Sequence, residues 1–183
     1  MNIDAADEKN PAVFAYTGDT YQGLNVKTFS EEDLEYAQHH LSIISGLYGV
    51  LRPLDLIQPY RLEMSTKRFM DINLYAFWSG AITEYFNQHA DGCVINLASQ
   101  EYSTVINRSI LKKKLIDVIF YQRRNGGLKT IGLLAKKARG CMAAFIIKHR
   151  ITSLNELIRF SEDGYIFQPD QSTPNILTFI QEN

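Results

Sequence analysis

The stretch with the most unusual chemistry runs from Ser45 to Met64 and reads SGLYGVLRPLDLIQPYRLEM. It places two glycines, two prolines, two arginines and two acids inside an otherwise apolar run. Neither a core strand nor a simple connecting loop requires this composition. Gly46 and Gly49 let the backbone turn tightly and approach another group closely, and the prolines stiffen the chain that follows. The pattern therefore indicates a rigid segment that could hold a ligand.

The side chains of this stretch suit a phosphodiester ligand. Arg52 and Arg61 carry the guanidinium geometry that binds phosphate through two hydrogen bonds, and Tyr48 and Tyr60 offer faces for stacking. The two acids of the stretch balance the two arginines, so ion pairs within the segment are a competing interpretation. The pattern alone leaves both interpretations open.

A second stretch, AKKARGCM, opens a helix that the apolar pattern predicts over residues 135–150. Lys136, Lys137 and Arg139 would lie in its first turns, where a cation opposes the helix dipole and loses about 0.3–1 kcal/mol. Lys136 and Arg139 share a helix face with Gly140, and a small residue beside two cations lets an anion approach the backbone. The stretch favours a phosphate site at this helix end, although an exposed helix end of modest stability fits the same pattern.

A third group, NLASQEY, ends a nearly continuous apolar run at residues 92–99, which predicts a strand buried on both faces. Asn96 is polar within that strand and must find hydrogen-bond partners. Ser99 is a candidate helix cap, and Glu101 and Tyr102 supply a possible base and an aromatic surface. Strand-to-helix junctions of this kind bind ligands in α/β domains. No nucleophile is paired with an identifiable base, so the pattern alone is weak evidence for catalysis.

The remaining side chains give no reason to expect a metal or a cofactor. None of the four histidines stands in an HExxH or a His-Cys motif. His39 and His40 are adjacent on a predicted helix and point about 100° apart. The sequence contains no P-loop, GxGxxG or GxSxG motif. We predict no metal site and no cofactor.

Composition places the chain among ordinary globular proteins. Its 183 residues are 45% hydrophobic and 21% charged, and no apolar run approaches the roughly 20 residues that span a bilayer. The N-terminus is acidic and has no apolar signal-peptide core. Cys93 and Cys141 are far apart and suggest free thiols in a reducing compartment. We expect a cytoplasmic protein without a membrane partner.

Charge is unevenly distributed along the chain. Residues 1–40 contain two basic and eight acidic side chains, whereas residues 112–150 contain eleven basic side chains and one acid. The formal net charge of −1 conceals this asymmetry. A locally positive surface would attract an anionic partner such as nucleic acid, and two solvated faces that attract each other are the competing interpretation.

The predicted elements give an α/β or α+β fold, a single domain over residues 1–183 with a mixed sheet flanked by helices. A capping box at Ser30 and Asp33 begins the first long helix, and Asn125-Gly126 predicts a hairpin turn. Strands are predicted at residues 13–16, 92–99, 115–121, 128–134, 165–168 and 176–180. Long helices are predicted at residues 31–42, 73–89 and 135–150.

The three stretches, together with TGDTYQGL, LYAFW and GYIF, closely resemble the YaaA family of bacterial peroxide stress resistance proteins. The resemblance implies a cytoplasmic protein that restrains free iron during hydrogen peroxide stress and so limits oxidative DNA damage. It also implies DNA binding, an α/β fold with a helix-hairpin-helix-like element and a positive cleft. We place that element at the helix ending near Ser42 and the Gly46–Gly49 turn.

The positions that match the family's motifs are candidates for the functional site. They are Gly46, Gly49, Arg52, Tyr60, Arg61, Glu63, Asn96, Ser99, Glu101, Tyr102, Lys136, Lys137, Arg139 and Gly140. Thr17 replaces a lysine that is usual in the family. The family's N-terminal strand and Ser-Pro-Ala-Lys segment are not found in this chain, which we therefore expect to be an N-terminally truncated form with lower stability or activity.

Three functional hypotheses follow from these candidates. In the first, the three stretches meet in one cationic pocket that binds double-stranded DNA through its backbone, with little sequence preference. In the second, the chain is an enzyme acting on a nucleotide or nucleobase, with Glu101 or Glu63 as acid/base. In the third, it acts through an unidentified protein partner. Catalytic turnover is left open by the sequence.

Overall fold

The computed structural model describes residues 8–67 and 70–182. The described strands are β1 (Asn10–Pro11), β2 (Ile43–Ser45), β3 (Gly49–Leu51), β4 (Leu56–Ile57), β5 (Cys93–Asn96), β6 (Lys114–Arg124), β7 (Gly127–Lys129), β8 (Tyr165–Phe167) and β9 (Ile176–Gln181). The described α-helices are α1 (Ala12–Ala15), α2 (Asp19–Leu24), α3 (Glu31–His40), α4 (Leu74–His89), α5 (Gln100–Ser103), α6 (Gly132–His149) and α7 (Leu154–Leu157). Helices combined with a mixed sheet confirm the predicted α/β class.

The described chain divides into two compact units. The first unit contains residues 8–16, 37–67, 70–92 and 98–113, and the second contains residues 17–36, 93–97 and 114–182. The assignment of residues 1–183 to a single domain stays a prediction.

The second unit is built on a five-stranded mixed sheet. Four strands follow the order β5-β6-β9-β8, and β7 pairs with the far end of β6. β5 and β9 are parallel to β6, whereas β7 pairs antiparallel with β6 and β8 with β9. The strands predicted at residues 115–121, 165–168 and 176–180 are confirmed to within three residues at each end.

Strand β6 shows why this sheet forms. Its side chains alternate, so that Ile116, Val118 and Phe120 are buried in the core. α6 covers that core with small and flexible residues, including Ala138 and Met142, which are almost completely buried. An alternating strand packed against one helix face is the arrangement that excludes water from both elements.

The hairpin between β6 and β7 follows the predicted turn. Asn125 and Gly126 both have a left-handed backbone, with φ of 51° and 75°, as a two-residue type I′ turn requires. β7 is shorter than the predicted strand, because α6 already begins at Gly132. The predicted boundary between strand and helix is wrong because Leu133 and Leu134 extend the apolar run that precedes the charged part of the helix.

A backbone contact joins α2 to α6 in the second unit. A Cβ atom added to Gly140 would lie 1.9 Å from the carbonyl oxygen of Thr20, and one added to Gly23 would lie 2.1 Å from that of Lys137. Both distances are far below van der Waals contact. The two glycines therefore allow the helices to cross with their backbones touching.

The first unit consists of short strands and one long helix. β2 and β3 form an antiparallel hairpin, and β1 pairs with β4. α4 begins after Asn73, whose side chain accepts a hydrogen bond of 3.1 Å from the Ala76 N–H and caps the helix. The helix predicted at residues 73–89 is thereby confirmed.

Three local predictions are wrong. Residues 13–15 belong to α1 instead of a strand, and Tyr16 follows the end of that helix. The N–H groups of Ala12 and Val13 bond to distant carbonyls. β5 is half-buried along its length because it is an edge strand of the described sheet, and not a strand buried on both faces. The Gly46–Gly49 turn joins two strands, so it is not the turn of a helix-hairpin-helix element.

Candidate functional site

The turn between β2 and β3 is fixed by one buried serine. Ser45 is 1% exposed, and its Oγ accepts hydrogen bonds from the N–H groups of Leu47 and Tyr48, at 3.2 and 3.0 Å. A serine at the start of a tight turn commonly bonds the backbone in this way. The turn is therefore held by hydrogen bonds inside the first unit.

The two glycines of this turn approach other parts of the same unit. A Cβ on Gly46 would lie 2.6 Å from the carbonyl oxygen of Leu62, and a Cβ on Gly49 would lie 2.6 Å from the ring of Trp78. Gly49 also has a φ of 76°, and the Trp78 indole N–H donates to the Gly46 carbonyl at 2.9 Å. The close approach expected of these glycines is thus made to the protein itself.

The two arginines of the stretch differ in their partners. Arg52 pairs with Asp55, with 3.2 Å between Nη2 and Oδ1, and its backbone N–H donates to the other carboxylate oxygen at 2.8 Å. The ion-pair interpretation therefore fits Arg52. Arg61 and Glu63 are exposed, and within residues 8–67 and 70–182 neither has a salt-bridge partner. Arg61 is the arginine of this stretch that remains available to an anion.

The hydroxyl group of Tyr60 belongs to a hydrogen-bonded network that also contains Ser45 and Tyr16. The Tyr60 hydroxyl lies 2.6 Å from the Tyr16 hydroxyl and 2.6 Å from the Ser45 Oγ. The ring of Tyr48 meets the Tyr60 ring edge to face, with 5.4 Å between centroids. Tyr60 is therefore anchored at its polar end and at one side of its ring.

Within the first unit, the residue that follows the Ser45–Met64 stretch contacts the end of the NLASQEY motif. The Glu101 Oε1 accepts hydrogen bonds from the backbone N–H and the hydroxyl of Ser65, at 3.1 and 2.7 Å. Ser99 lies at the N-cap of α5 but makes no side-chain cap hydrogen bond, and its carbonyl accepts from Tyr102 and Ser103. The short helix thus presents Glu101 to the segment that follows Arg61.

Tyr102 lies among the acids of both motifs. Burial, followed by the charges near it on Glu101, Tyr60 and Glu63, raises the pKa of Tyr102 to about 12, while a hydrogen bond with the Met64 backbone acts in the opposite direction. The phenol therefore remains protonated at neutral pH and can donate a hydrogen bond. A carboxylate acceptor, a phenol donor and Arg61, which has no salt bridge among the described residues, are thus collected in one unit.

Asn96 lies in the second unit and has a structural partner. It faces Asp117 in the register of β5 and β6, and its Nδ2 donates to the Asp117 Oδ1 at 2.7 Å. Asn96 therefore has the hydrogen-bond partner that a polar residue in a half-buried strand requires. Ligand binding by Asn96 stays a prediction.

The cations of α6 also lie in the second unit, but not in the first turn of that helix. Because α6 begins at Gly132, Lys136 and Lys137 follow in its second turn, so the predicted conflict with the helix dipole is wrong. Lys137 pairs with Asp163 at 3.0 Å, and Lys136 is exposed. Gly140 packs against α2, so helix packing explains the glycine at this position without any ligand.

Arg139 stands apart from the other cations of α6. Its side chain is partly buried, and its Nε has no hydrogen-bond partner among the described residues. Burial lowers the pKa of this guanidinium, and no neighbouring acid opposes that change. A buried nitrogen without an acceptor is rare in folded proteins because the unmade hydrogen bond costs about 1–3 kcal/mol. An anion at the accessible part of the side chain would supply the missing counter-charge.

Sequence reasoning missed three residues of the first-unit network: Ser45, Ser65 and Tyr16. Ser45 precedes a glycine turn, which is a detectable signal for a serine that caps the turn. Ser65 and Tyr16 gain their roles from contacts 36 and 44 residues away along the chain. No local pattern predicts such contacts.

Two kinds of feature are absent from residues 8–67 and 70–182. No helix among them is long and apolar enough to cross a membrane. No group of three or more His, Cys, Asp or Glu side chains among them is placed to hold a metal ion.

Comparisons with known proteins give a consistent result. A family model described as "Peroxide stress protein YaaA" matches residues 1–171. A UPF0246 protein of Legionella pneumophila strain Lens is 50% identical over 177 residues, which cover 93% of this chain and 69% of the relative. UPF0246 proteins of the Philadelphia 1 and Paris strains are also 50% identical, with the same shares covered.

Proposed function

Because the chain belongs to the YaaA family of peroxide stress proteins, we propose that it is a cytoplasmic protein that binds double-stranded DNA through phosphate contacts. In this proposal it helps to limit free iron and oxidative damage to DNA during peroxide stress. The contacts are made to the DNA backbone, so sequence preference is small.

The observation that carries DNA binding is the pair of cations, Lys136 and Arg139, that shares one face of α6 and has no salt bridge among the described residues. Arg139 is half-buried, and burial without a neighbouring acid leaves its charge without a counter-ion. A phosphate oxygen at the accessible part of this side chain would supply that counter-charge through a charge-assisted hydrogen bond. Lys136 lies three residues earlier on the same helix face and is exposed. The two side chains together supply the charge and the geometry that a phosphate requires.

Two other cations of the same stretches differ from Lys136 and Arg139 because they have acidic partners. Lys137 and Arg52 each have an acid within 3.2 Å, which competes with phosphate for the same cation. Arg61 has no such acid in the described residues and is assigned to the phosphate contacts of the first unit. The proposal therefore predicts unequal contributions from cations that the sequence alone treats alike.

A titration of labelled duplex DNA at several salt concentrations tests this proposal. The Lys136→Ala/Arg139→Ala variant is expected to bind about tenfold or more weakly and to lose about two units of the slope of log K against log salt. Lys137→Ala is the matched control on the same helix, and its affinity should change much less because Asp163 already neutralises Lys137. Unchanged affinity and slope in the double variant would exclude Lys136 and Arg139 from DNA binding.

A second candidate function is supported by the surroundings of Tyr102. A protonated phenol beside a fixed carboxylate is an arrangement suited to acid/base chemistry on a nucleotide or nucleobase. In this alternative Glu101 or Glu63 transfers the proton, and Arg61 holds the phosphate. DNA binding alone gives no reason for acids at this position, because they repel phosphate.

Glu101→Gln distinguishes the two functions. An enzyme should lose at least about a hundredfold in turnover when its acid/base is removed, measured as release of base or phosphate from a panel of nucleotides. A DNA-binding protein without turnover should bind duplex DNA equally well or more tightly, since a negative charge is lost. Glu31→Gln, on an exposed helix end in the second unit, controls for the change in net charge.

A further inference from the structure

The hairpin formed by β6 and β7 leads directly into α6. β6 ends at Arg124, the turn follows at Asn125 and Gly126, and β7 ends at Lys129. Two residues separate β7 from α6, which begins at Gly132. The hairpin and the start of the helix are therefore neighbours within the second unit.

A buried glutamine ties the hairpin to the start of this helix. Gln122 is fully buried, its Oε1 accepts a hydrogen bond of 3.1 Å from the Ile131 N–H, and its Nε2 donates to the Tyr165 hydroxyl. Because both ends of this side chain are bonded, its orientation is set by the surrounding structure. The hairpin thus keeps a fixed position relative to the first turn of α6.

Two cations lie on the face of the hairpin that is turned towards α6. Side chains alternate along β6, so Arg124 continues the face of Phe120 and Gln122, which packs against α6. Lys129 lies directly across from Gln122 in the antiparallel register and shares that face. Arg124 and Lys129 are exposed, and neither has a salt bridge within residues 8–67 and 70–182. This face of the hairpin therefore carries two cations without a counter-ion.

The opposite face of the same hairpin is neutralised. Arg123 lies across from Leu128 on that face. The Arg123 Nε donates to both carboxylate oxygens of Glu182, at 3.1 and 3.0 Å. Adjacent arginines of one strand thus differ in that Arg123 has an acidic partner and Arg124 has none.

A glycine leaves the charged face open beside Arg124. Gly127 lies directly across from Arg124, and a Cβ added there would approach one atom of the chain beyond its immediate neighbours, the Arg124 carbonyl oxygen at 3.9 Å. Its φ is outside the left-handed region, so neither backbone conformation nor packing requires glycine here, in contrast to Gly140. With no side chain opposite Arg124, a large anion can approach both the guanidinium and the strand backbone.

From this arrangement we propose that the hairpin of β6 and β7 is a second DNA-contact element, in which Arg124 and Lys129 bind phosphates of the duplex backbone. This inference rests on the proposed DNA binding and extends it beyond the cations of α6. The Arg124 guanidinium suits two phosphate oxygens at once, and the Lys129 ammonium adds a point charge. Because these contacts reach only the backbone, the hairpin adds affinity and salt dependence but no sequence preference.

A titration of labelled duplex DNA at several salt concentrations tests the hairpin. Arg124→Ala and Lys129→Ala should each lower the slope of log K against log salt by about one unit, and the double variant should bind about tenfold more weakly. Arg123→Ala is the matched control, since it removes the same charge from the same hairpin. Its slope should change much less, because Glu182 already neutralises Arg123. Arg124→Lys/Lys129→Arg keeps both charges and should retain the slope.

The unmodified protein and the Lys136→Ala/Arg139→Ala variant, titrated in parallel, separate this inference from the proposed function. If both show salt-dependent binding and the folded Arg124→Ala/Lys129→Ala protein retains full affinity and slope, the hairpin is excluded while DNA binding stands. Absence of salt-dependent binding by the unmodified protein would overturn both. Equal losses of slope in Arg123→Ala and Arg124→Ala would also overturn the inference, because overall charge alone would then explain them. Circular dichroism establishes folding, and Arg124→Gln/Lys129→Gln replaces the alanine variant if that variant does not fold.

Discussion

The two compact units use glycine for different purposes. In the second unit, Gly23 and Gly140 bring two helix backbones into contact, and neither carries a strained φ. In the first unit, Gly46 and Gly49 fold a turn against Leu62 and Trp78, and the turn is fixed by side-chain hydrogen bonds. A glycine beside cations is therefore not by itself a sign of ligand binding, because in α6 the glycine serves helix packing.

The charged residues of the two units also differ. The second unit neutralises several of its charges internally, through Lys137–Asp163, Arg123–Glu182 and Arg150–Asp33. Arg139 is an exception in this unit, since it is partly buried and its Nε lacks an acceptor. The contrast between Arg139 and its paired neighbours is more informative about function than the number of basic residues in residues 112–150.

The largest expected effect on stability comes from adding a side-chain atom between α2 and α6, where the two backbones touch. Gly140→Ala would place a Cβ 1.9 Å from the Thr20 carbonyl oxygen, and backbone atoms can relieve that clash only by moving the helices apart. We expect a loss of about 3 kcal/mol or more in the free energy of unfolding. Denaturant unfolding monitored by circular dichroism measures it.

Gly80→Ala is the matched control for this prediction. Gly80 is an exposed position inside α4, and a Cβ there would meet nothing within 4 Å. Because alanine is the better helix former, this change should stabilise the protein by about 0.5–1 kcal/mol. A Gly140→Ala protein as stable as the wild type would show that the helices do not touch through this glycine.

A smaller effect is expected at the turn of the first unit. Gly49 and Gly126 have nearly equal φ values, 76° and 75°, but a Cβ on Gly49 meets the Trp78 ring at 2.6 Å and one on Gly126 meets nothing. Gly126→Ala should cost about 1 kcal/mol for the left-handed backbone alone. Gly49→Ala should cost about 2–3 kcal/mol, because Trp78 must also move. Equal losses would mean that the indole adapts freely, and fluorescence of Trp78, the only tryptophan in the chain, would report its displacement.

The sequence predicted the long elements well, for a physical reason. Local hydrophobic periodicity and caps determine an amphipathic helix such as α4 and an alternating strand such as β6, and both lie where the pattern places them. The short elements of the first unit have two to four residues, too few for any period to appear. The chain therefore passes from β1, which ends at Pro11, to α1, which begins at Ala12, without a detectable sequence signal.

The site was only partly predictable. Arg61, Glu101 and Tyr102 were identified from residue type and motif, and the structure brings the segment after Arg61 next to Glu101 through Ser65. Residue type could not show that Arg52 and Lys137 are neutralised while Arg139 is not, because the partners of these cations are set by tertiary contacts. The helix start at Gly132 was missed for a similar reason, since no side chain caps it.

The smallest expected effect concerns a charge pair that holds the end of α6. The Arg150 guanidinium donates to the Asp33 carboxylate at 2.7 Å, and this hydrogen bond, opposed by burial, holds the pKa of Asp33 below its ordinary value. Since the folded pKa is depressed, the stabilisation is fully present above the ordinary aspartate pKa of about 3.9 and is lost as pH falls through the lower, folded pKa. The Arg150 side chain is 37% exposed, so we expect less than about 1 kcal/mol.

Asp33→Asn measures this contribution, because the amide oxygen can still accept the Ser30 N–H of the capping box while the charge is removed. Unfolding free energies between pH 2 and 7 should show a deficit in the variant near neutral pH that shrinks in acid and disappears once Asp33 is protonated in both states. In an Arg150→Gln background the deficit should be much smaller, because only the Ser30 backbone hydrogen bond and the Lys148 charge then still favour the Asp33 carboxylate. A deficit that stays constant with pH would assign the loss of stability to the capping box. The internal charge pairs of the second unit would then contribute little to stability. In that case the contrast between these pairs and Arg139 would say less about function.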